Sequence, residues 1–276
     1  MLRESLTYLR TPCKKSFRSL GYLRELVALE ARYQRCQADW RSHLDRTQEM
    51  IKKACEAASQ NKKVAILGSG VLSDIPVSFL SAVFSNVHLV DVCHLPQART
   101  RTIQLANVQH DIVDISELAD PLIDWAKSGA FPERLPWPQY PSSLDMEDAD
   151  LVISANIISQ LPLIPLDFIL KKSPSTTPDM LNEYGRAVIK RHLEFLSNCQ
   201  GAVCLITEVE RKRWNNRGIL DLEDPLWGIV IKSYSEEWFW DIAPIPETSR
   251  SYNVTNRVCG VIAKSGADLR TTTAST

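Results

Sequence analysis

The sequence predicts an α/β protein with a doubly wound, mostly parallel sheet of seven strands, a C-terminal antiparallel hairpin and an N-terminal helical extension. Short apolar runs alternate with helix-sized segments between residues 62 and 207, which is typical of strands joined by helical crossovers. A glycine-rich turn follows the first of these runs. Beyond residue 236, two strand-like segments follow one another without a helix, which indicates antiparallel pairing.

Residues 1–60 are predicted to form a helical cap. Apolar side chains recur at helical spacing between Leu20 and Ala58, which predicts two helices or one bent helix. Residues 1–63 carry 14 basic and 7 acidic side chains, whereas residues 64–276 carry 18 and 26. We expect this basic arm to pack on the acidic body or to be solvated. Nucleic-acid binding is less favoured, because aromatic residues do not interleave with the basic ones.

The predicted core domain spans residues 61–266 and begins with a buried strand. The five parallel strands are expected at Val64–Leu67, Val87–Val92, Val108–Val113, Leu151–Ala155 and Ala202–Thr207, and the closing hairpin at Glu237–Ala243 and Arg257–Lys264. Pro178 after Thr177 predicts the start of the helix before the fifth strand. The polar tail, 267–276, is expected to be disordered.

Two long segments fall outside the alternating pattern. Residues 114–150 are acidic and contain prolines, and residues 208–236 are rich in charge and tryptophan. Loops of this length are often functional elements at the carboxyl edge of a sheet, so we expect them to shape a substrate site or a lid.

Composition limits the cellular context. The chain contains no run of 18 apolar residues and no secretory signal, so we expect a soluble, cytoplasmic protein without a membrane partner. A mitochondrial presequence is a less favoured alternative, suggested by six basic residues against one acidic residue in the first 24. Seven scattered cysteines without a C-x-x-C pair predict free thiols, with neither a disulfide framework nor structural zinc.

The turn after the first strand predicts a nucleotide site. Gly68 and Gly70 allow a sharp turn and a close approach of the backbone to a ligand. Asp91 follows Gly68 by 23 residues, at the end of the second predicted strand. A carboxylate there can accept hydrogen bonds from both ribose hydroxyls, so the pattern favours an adenosine-type ligand over a purely structural turn.

The charge of this turn selects among adenosine ligands. A pyrophosphate needs the free N–H groups at the start of the following helix. Asp74, which could cap that helix, and Pro76, which lacks an N–H, are expected in its first turn, and Ser73 replaces the third glycine of a dinucleotide fingerprint. A cationic, phosphate-free nucleoside such as S-adenosylmethionine (SAM) therefore suits the turn better than NAD.

The same residues resemble the class I SAM-dependent methyltransferases. The resemblance covers roughly residues 60–264 and rests on GSG at 68–70, VDV around Asp91, QHD ending at Asp111, SANIISQLP after the fourth strand, and the terminal hairpin. It implies SAM as cofactor, S-adenosylhomocysteine (SAH) as product and a methyl acceptor that is most simply a small molecule. Oligomeric state is not implied.

Roles for individual residues follow from the resemblance alone. The turn of Gly68, Ser69 and Gly70 would pass the methionyl part of the cofactor, and Asp91 would hold the ribose. Asp111 would lie near the adenine edge and Asn156 beside the transferable methyl. Many members carry an acid two residues before the first glycine, where this chain has Ile66, and Asp74 could replace that charge.

Other functions stay open. The G-S-G-x-L turn is also similar to that of nicotianamine synthases, which transfer the aminocarboxypropyl arm of SAM. An NAD-type oxidoreductase, or a protein that keeps the fold and only binds a partner, is a further alternative.

No catalytic residue is assigned from the sequence. His94 and His110 are expected to be hydrogen-bonded loop histidines rather than metal ligands, and His192 a solvated or edge residue. Glu208 and Glu210 are candidates to face the acceptor, although surface positions are favoured for both. Trp238 and Trp240 share a strand face and are expected to pack in the core rather than stack on a substrate.

Overall fold

The computed structural model describes residues 2–139, 144, 146, 148–269 and 271–273. The helices of the N-terminal cap are α1 (Leu2–Arg10), α2 (Lys15–Leu20), α3 (Tyr22–Arg35) and α4 (Gln37–Cys55). The parallel part of the chain contains β1 (Lys63–Leu67), α5 (Val77–Val83), β2 (Asn86–Asp91), α6 (Pro96–Thr102), β3 (Val108–Ile112), α7 (Ala119–Ser128), β4 (Leu151–Ala155), α8 (Leu163–Lys172), α9 (Pro178–Asn198) and β5 (Ala202–Asn215). The antiparallel part contains β6 (Gly218–Glu223), β7 (Ile229–Ile231), β8 (Glu236–Ala243), β9 (Asn253–Ala263) and β10 (Thr271–Thr273).

The main sheet has the strand order β3-β2-β1-β4-β5-β9-β8. Neighbours from β3 to β5 are parallel, whereas β9 lies antiparallel between β5 and β8. The predicted doubly wound sheet of seven strands with a C-terminal hairpin is therefore confirmed. The strand order reverses between β1 and β4, and in such sheets ligands bind beyond the carboxyl ends of the strands at this point.

The expectation of a long loop at residues 208–236 is wrong. Strand β5 continues to Asn215 and turns back into β6, which adds an eighth strand to the sheet beside the seven in its main path. The extension is held by pairing of Arg213 with Val254 on one side and with Asp221 on the other. The segment between β3 and β4 is also not a single loop, because it contains α7; positions 140–143, 145 and 147 lie outside the described residues.

The chain beyond the core also differs from the expectation of a disordered tail. A short 3₁₀ turn covers Gly266–Asp268, Leu269 is buried, and β10 pairs antiparallel with β7. Residues 270 and 274–276 lie outside the described part. The boundary between cap and core at residue 60 stays a prediction.

Two apolar layers cover the faces of the sheet. Helix α4 packs Trp40, Met50 and Ile51 on the face that includes Val64 and Ile66. The cluster on the opposite face brings together buried side chains of α2, α7, α8 and α9. Thr177 accepts a hydrogen bond from the backbone N–H of Met180 (3.3 Å), so α9 begins where the sequence predicted. The carboxyl ends of the strands are thus the part of the sheet left for a site.

Two further expectations can be compared with the structure. All seven cysteines are free thiols, as predicted. Within the described residues, each helix is too short or too polar to cross a bilayer.

Candidate functional site

The glycine turn joins β1 to α5, and its two glycines serve different purposes. Gly68 has a φ of +68°, and a Cβ there would lie 2.5 Å from Cγ1 of Ile157, so its side is filled by protein. Gly70 has a φ of +55°, and a Cβ there would meet only the carbonyl oxygen of Gly68, at 3.7 Å. The open approach for a ligand is therefore over Gly70, whereas Gly68 is required for packing.

The N–H groups of the turn are already engaged. Gly68 and Ser69 both donate to the carbonyl oxygen of Val90 (2.9 and 3.1 Å), and Gly70 donates to the Oδ2 of Asp91 (2.7 Å). A phosphate site needs several free N–H groups that point at one place. In contrast, the hydroxyl of Ser69 is buried and has no hydrogen-bond partner in the described structure. The turn therefore has a free hydroxyl group for a ligand but lacks the free N–H groups that a phosphate would need.

Asp91 lies at the end of β2, directly against this turn. Its carboxylate accepts the N–H of Gly70 through Oδ2 and the N–H of Val92 through Oδ1 (both 2.7 Å). Burial raises the pKa of Asp91 to about 6, and the backbone hydrogen bonds lower it only in part. The carboxylate is thus fixed by the backbone at the strand end, where the remaining oxygen lone pairs can accept from a ligand.

Asp111 is not placed at the strand end. It lies inside β3, and its Oδ2 is 2.8 Å from Nδ1 of His88 on the neighbouring strand. Asp114, which the sequence reasoning did not single out, follows the end of β3. Its carboxylate accepts from the N–H groups of Ser116 (3.0 Å) and Ala119 (2.8 Å). Of the two acids, Asp114 is therefore the one that lies beyond the carboxyl end of β3.

Asp74 does not cap α5. That helix begins at Val77 without a side-chain cap, because Asp74 turns away from it towards the end of β4. There its Oδ2 accepts from Nδ2 of Asn156 at 2.8 Å. Burial raises the pKa of Asp74, and the hydrogen bond from Asn156 lowers it in part. Asp74 and Asn156, which the sequence analysis assigned to one site, are therefore in contact.

Asn156 is held in a strained position immediately after β4. Its φ is +56°, an uncommon value for a residue with a side chain, and its N–H donates to the carbonyl of Ile206 at 2.8 Å. The side chain is buried, and Oδ1 has no partner within the described residues. Residues in such backbone conformations cluster at functional sites.

A buried histidine from the cap contacts Asn156, which the sequence analysis did not foresee. Nε2 of His43 lies 3.2 Å from Nδ2 of Asn156, and Nδ1 accepts from the indole N–H of Trp238 (3.0 Å). The ring also stacks on Trp240, with centroids 3.9 Å apart. Burial lowers the pKa of His43 to about 3, so the ring is neutral at physiological pH.

The indole of Trp238 determines where His43 carries its proton. An indole N–H can only donate, so Nδ1 accepts and Nε2 holds the proton that faces Asn156. The side-chain nitrogen of Asn156 can donate a hydrogen bond to an ionised Asp74, whereas its side-chain oxygen could accept one from Nε2–H of His43. The orientation of this amide is therefore tied to the charge on Asp74.

Glu208 on β5 completes a polar layer beneath α4, which we define as His43, Asp74, Asn156, Glu208 and Trp238. Its side chain is fully buried and accepts hydrogen bonds from the hydroxyl of Ser159 and from Nδ2 of Asn256, the latter at 3.5 Å. Burial raises the pKa of Glu208, and the nearby Asp74 charge raises it further. The expectation of a surface glutamate is wrong at 208. Glu210, by contrast, is partly exposed and faces Arg257.

The remaining candidates have structural surroundings. Nε2 of His94 contacts the backbone oxygen of Asp111, and Nε2 of His110 contacts the hydroxyl of Thr102 (both 3.1 Å), so their expected hydrogen bonding is confirmed. The expected loop position is wrong for His110, which lies in β3. His192 is buried under β4 with Nε2 2.9 Å from Ser154 Oγ, so the expected solvated position is wrong. Trp238 and Trp240 pack in the core, as expected.

The N-terminal cap covers the segments that follow β1 and β2. Leu23, Leu26 and Val27 of α3 form one buried cluster with Val71, Cys93 and Leu95 from the segments after β1 and β2. Nε2 of Gln48 in α4 donates to the carbonyl of Ser73 (3.2 Å). The hydroxyl of Tyr22 is buried, and burial together with the Asp114 charge raises its pKa. The cap therefore packs against the turn.

Comparison with known proteins finds similarity among solved structures alone. No family model and no curated protein matches the chain. Among solved structures, N-methyltransferase NodS from Bradyrhizobium japonicum, with SAH bound, is similar at 11% identity and a TM-score of 0.36, covering 83% of this chain and 97% of NodS. The 1,6-didemethyltoxoflavin-N1-methyltransferase of Burkholderia thailandensis is similar at 12% identity and a TM-score of 0.33, covering 85% and 89%.

A third similar structure is a putative sarcosine dimethylglycine methyltransferase from Galdieria sulphuraria. Its identity is 10% and its TM-score 0.36, with 81% of this chain and 86% of that chain covered. At these scores the similarity carries no argument about ligand or activity. The fold class rests on the strand order and pairing described above.

Proposed function

We propose that the protein is a SAM-dependent methyltransferase. The observation that carries the proposal is the use of the turn's own N–H groups: Gly68, Ser69 and Gly70 donate to Val90 and Asp91, so a pyrophosphate would find none of them free. A buried acid fixed at the end of β2 still suits a ribose, and the partly buried Asp74 suits a cation. An adenosine ligand with positive charge and no phosphate meets both conditions.

Different residues of the chain would bind different parts of the ligand. Asp91 would accept the ribose hydroxyls, and Asp114 takes the place that the sequence had given to Asp111 near the adenine. Gly70, with its open side, and Ser69, with its unpaired hydroxyl, would contact the methionyl part. These buried polar atoms without partners fit a bound ligand, because such atoms are otherwise hydrogen-bonded.

The remaining site residues lie where the transferred group would be. Asp74 would balance the positive charge of the ligand, and Asn156 would lie beside the methyl, which SAM supplies in activated form. Gly68 supports this arrangement through its packing on Ile157. The chain's contribution is to orient the two reactants and to exclude water beneath the cap, which is the main demand of a methyl transfer.

Ligand-induced stabilisation tests the proposal. We expect SAM and SAH at 1 mM, but neither NAD nor NADP, to raise the melting temperature of the protein, because only a ligand that binds the folded state shifts unfolding. At about 100 times its Kd, a ligand adds about 2.7 kcal/mol. Stabilisation by NAD and by neither sulfur nucleotide would refute the proposal, and a lack of response to all four would favour a protein that only binds a partner.

The product separates the proposal from transfer of an aminocarboxypropyl group. Methyl transfer leaves SAH, whereas transfer of the aminocarboxypropyl arm leaves methylthioadenosine. We expect SAH from incubations of the protein with SAM and a small-molecule extract, measured by mass spectrometry.

A further inference from the structure

Two carboxyl groups in the polar layer lack a basic partner. Asp74 contacts Nδ2 of Asn156, and Glu208 contacts Ser159 and Asn256. Among the described residues, neither acid forms an ion pair. Arg211 affects Glu208 only from a distance, because its Nε donates to Oδ1 of Asn256 (3.2 Å). Glu208 is fully buried and Asp74 is partly buried. Charges in such surroundings are normally paired, so these two acids are candidates to bind a cation from outside the chain.

Unpaired polar atoms beside the acids independently indicate a ligand. Asn156 is 7% exposed, and its Oδ1 belongs to the same amide whose nitrogen contacts Asp74, yet it has no partner in the described structure. Thr47, fully buried one turn after His43 on α4, also has an unpaired hydroxyl. Such atoms are uncommon in folded proteins, and the Asn156 oxygen belongs to the amide that contacts Asp74.

We propose that Asp74 and Glu208 form a cation site at the reacting centre, and that the methyl acceptor is an amine that docks there as its ammonium ion. The inference rests on the proposed methyltransferase function and adds the acceptor class and a catalytic base. Asp74 contacts Asn156 at the end of β4, and Glu208 lies on β5 two residues after Ile206, whose carbonyl accepts from Asn156. The resemblance places the transferable methyl beside Asn156.

The chemical step balances with these groups. The carboxylate of Glu208 removes one N–H proton from the ammonium ion and becomes the neutral acid. The freed nitrogen lone pair forms the bond to the methyl carbon, while the methyl–sulfur bond breaks and its electron pair stays on sulfur. The products are SAH and a methylated ammonium ion, and the proton leaves Glu208 for solvent when they dissociate. His43 cannot replace Glu208, because its accepting nitrogen is occupied by Trp238.

The charge of the site disfavours other acceptor classes. A carboxylate acceptor would be repelled by both acids, and no basic side chain contacts them within the described residues. A phenol would bring no positive charge to compensate the two carboxyl groups. An ammonium ion brings the charge and can also donate hydrogen bonds to Glu208 and to Oδ1 of Asn156.

The test compares two nucleosides that differ in charge at the reacting centre. SAH is neutral at sulfur, whereas sinefungin carries an amine on the carbon that replaces it. By calorimetry at pH 7.5, we expect sinefungin to bind the wild type at least about tenfold more tightly than SAH. In Glu208→Gln we expect the ratio to fall to within about threefold, with the affinity for SAH unchanged.

Glu210→Gln is the matched control. It makes the same substitution two residues further along β5, on a partly exposed side chain that faces Arg257, and should keep the wild-type ratio. An unchanged affinity for SAH shows that Glu208→Gln is folded. Equal affinities for the two nucleosides in the wild type, or an unchanged ratio in Glu208→Gln, would overturn the cation site alone. Absence of SAH binding to the wild type would overturn the proposed function itself.

A second measurement needs no variant. The wild type is incubated with SAM labelled in its methyl group and with separate pools of primary and secondary amines, of phenols and of carboxylic acids. We expect label in the amine pool. Label in another pool, or in none, would overturn the assignment of an amine acceptor.

Discussion

The two halves of the site support their acids in different ways. On the nucleotide side, beyond β2 and β3, Asp91 and Asp114 accept hydrogen bonds from backbone N–H groups. In the polar layer, Asp74 beside the end of β4 and Glu208 within β5 accept hydrogen bonds from the side chains of Asn156, Ser159 and Asn256. Backbone donors belong to the fold, whereas side-chain donors can rotate. The first half is therefore suited to hold a ligand in one fixed position, and the second to adjust to the group that binds there.

The largest effect is expected from Asp91→Asn, which removes the charge that would accept the ribose hydroxyls. Hydrogen bonds to charged groups contribute about 1.5–3 kcal/mol each, so loss of two should weaken SAH binding by at least about 100-fold. Calorimetry measures the change. Asp111→Asn is the control, because Asp111 lies inside β3 against His88, and SAH affinity should stay within about twofold. Equal effects of both substitutions would contradict the assignment of the nucleotide side.

The next effect concerns stability, and it tests whether the polar layer is a connected unit. His43→Phe keeps a ring against Trp240 but leaves the buried indole N–H of Trp238 without its acceptor. Loss of one partner of a buried hydrogen bond costs about 1–3 kcal/mol, to be measured by denaturant unfolding. Trp238→Phe should lower the free energy of unfolding less in the His43→Phe variant than in the wild type, because in the variant it removes an unpaired indole N–H. Strict additivity of the two substitutions would show that the contact has no energetic role.

The smallest effect is a pH dependence of SAH binding. The pKa of Asp91 is raised to about 6 by burial, and its ionised form is the one that accepts ribose hydroxyls. The ionised fraction is nearly complete at pH 7.5 and about one tenth at pH 5, so affinity should fall about tenfold between them. The raised pKa of Asp74 acts in the same direction, which makes tenfold a lower bound.

The Asp111→Asn variant should keep this pH profile. A flat profile for the wild type would mean that Asp91 does not titrate in this range or does not contact the ligand.

The sequence predicts the glycine turn and the acid at the end of β2 but not the polar layer, for a physical reason. The positions of Gly68, Gly70 and Asp91 follow from strand ends, which apolar runs mark in one local stretch of chain. Asp111 was misplaced because β3 is partly exposed, so its end is poorly marked by hydrophobicity and Asp114 was overlooked.

The polar layer requires long-range contacts that a local pattern does not contain. His43 and Trp238 are 195 residues apart, and Asn156 meets Asp74 across 82 residues. One signal was available for Glu208: an acid directly after the apolar run of β5, in a strand that continues. The sequence analysis read that run as ending at Thr207, and so placed the glutamate on the surface.

The packing of α4 on β8 has a consequence for folding during synthesis. Trp40 donates to the carbonyl of Ile242, and His43 accepts from Trp238. A helix synthesised in the first fifth of the chain therefore finds its packing partners only when the strands in the last fifth have been synthesised. Contacts of such high sequence separation form late and slow folding. The cap must therefore leave the ribosome with its apolar face uncovered, and a nascent chain stalled before β8 would expose Trp40, Met50 and Ile51 to chaperones or to aggregation.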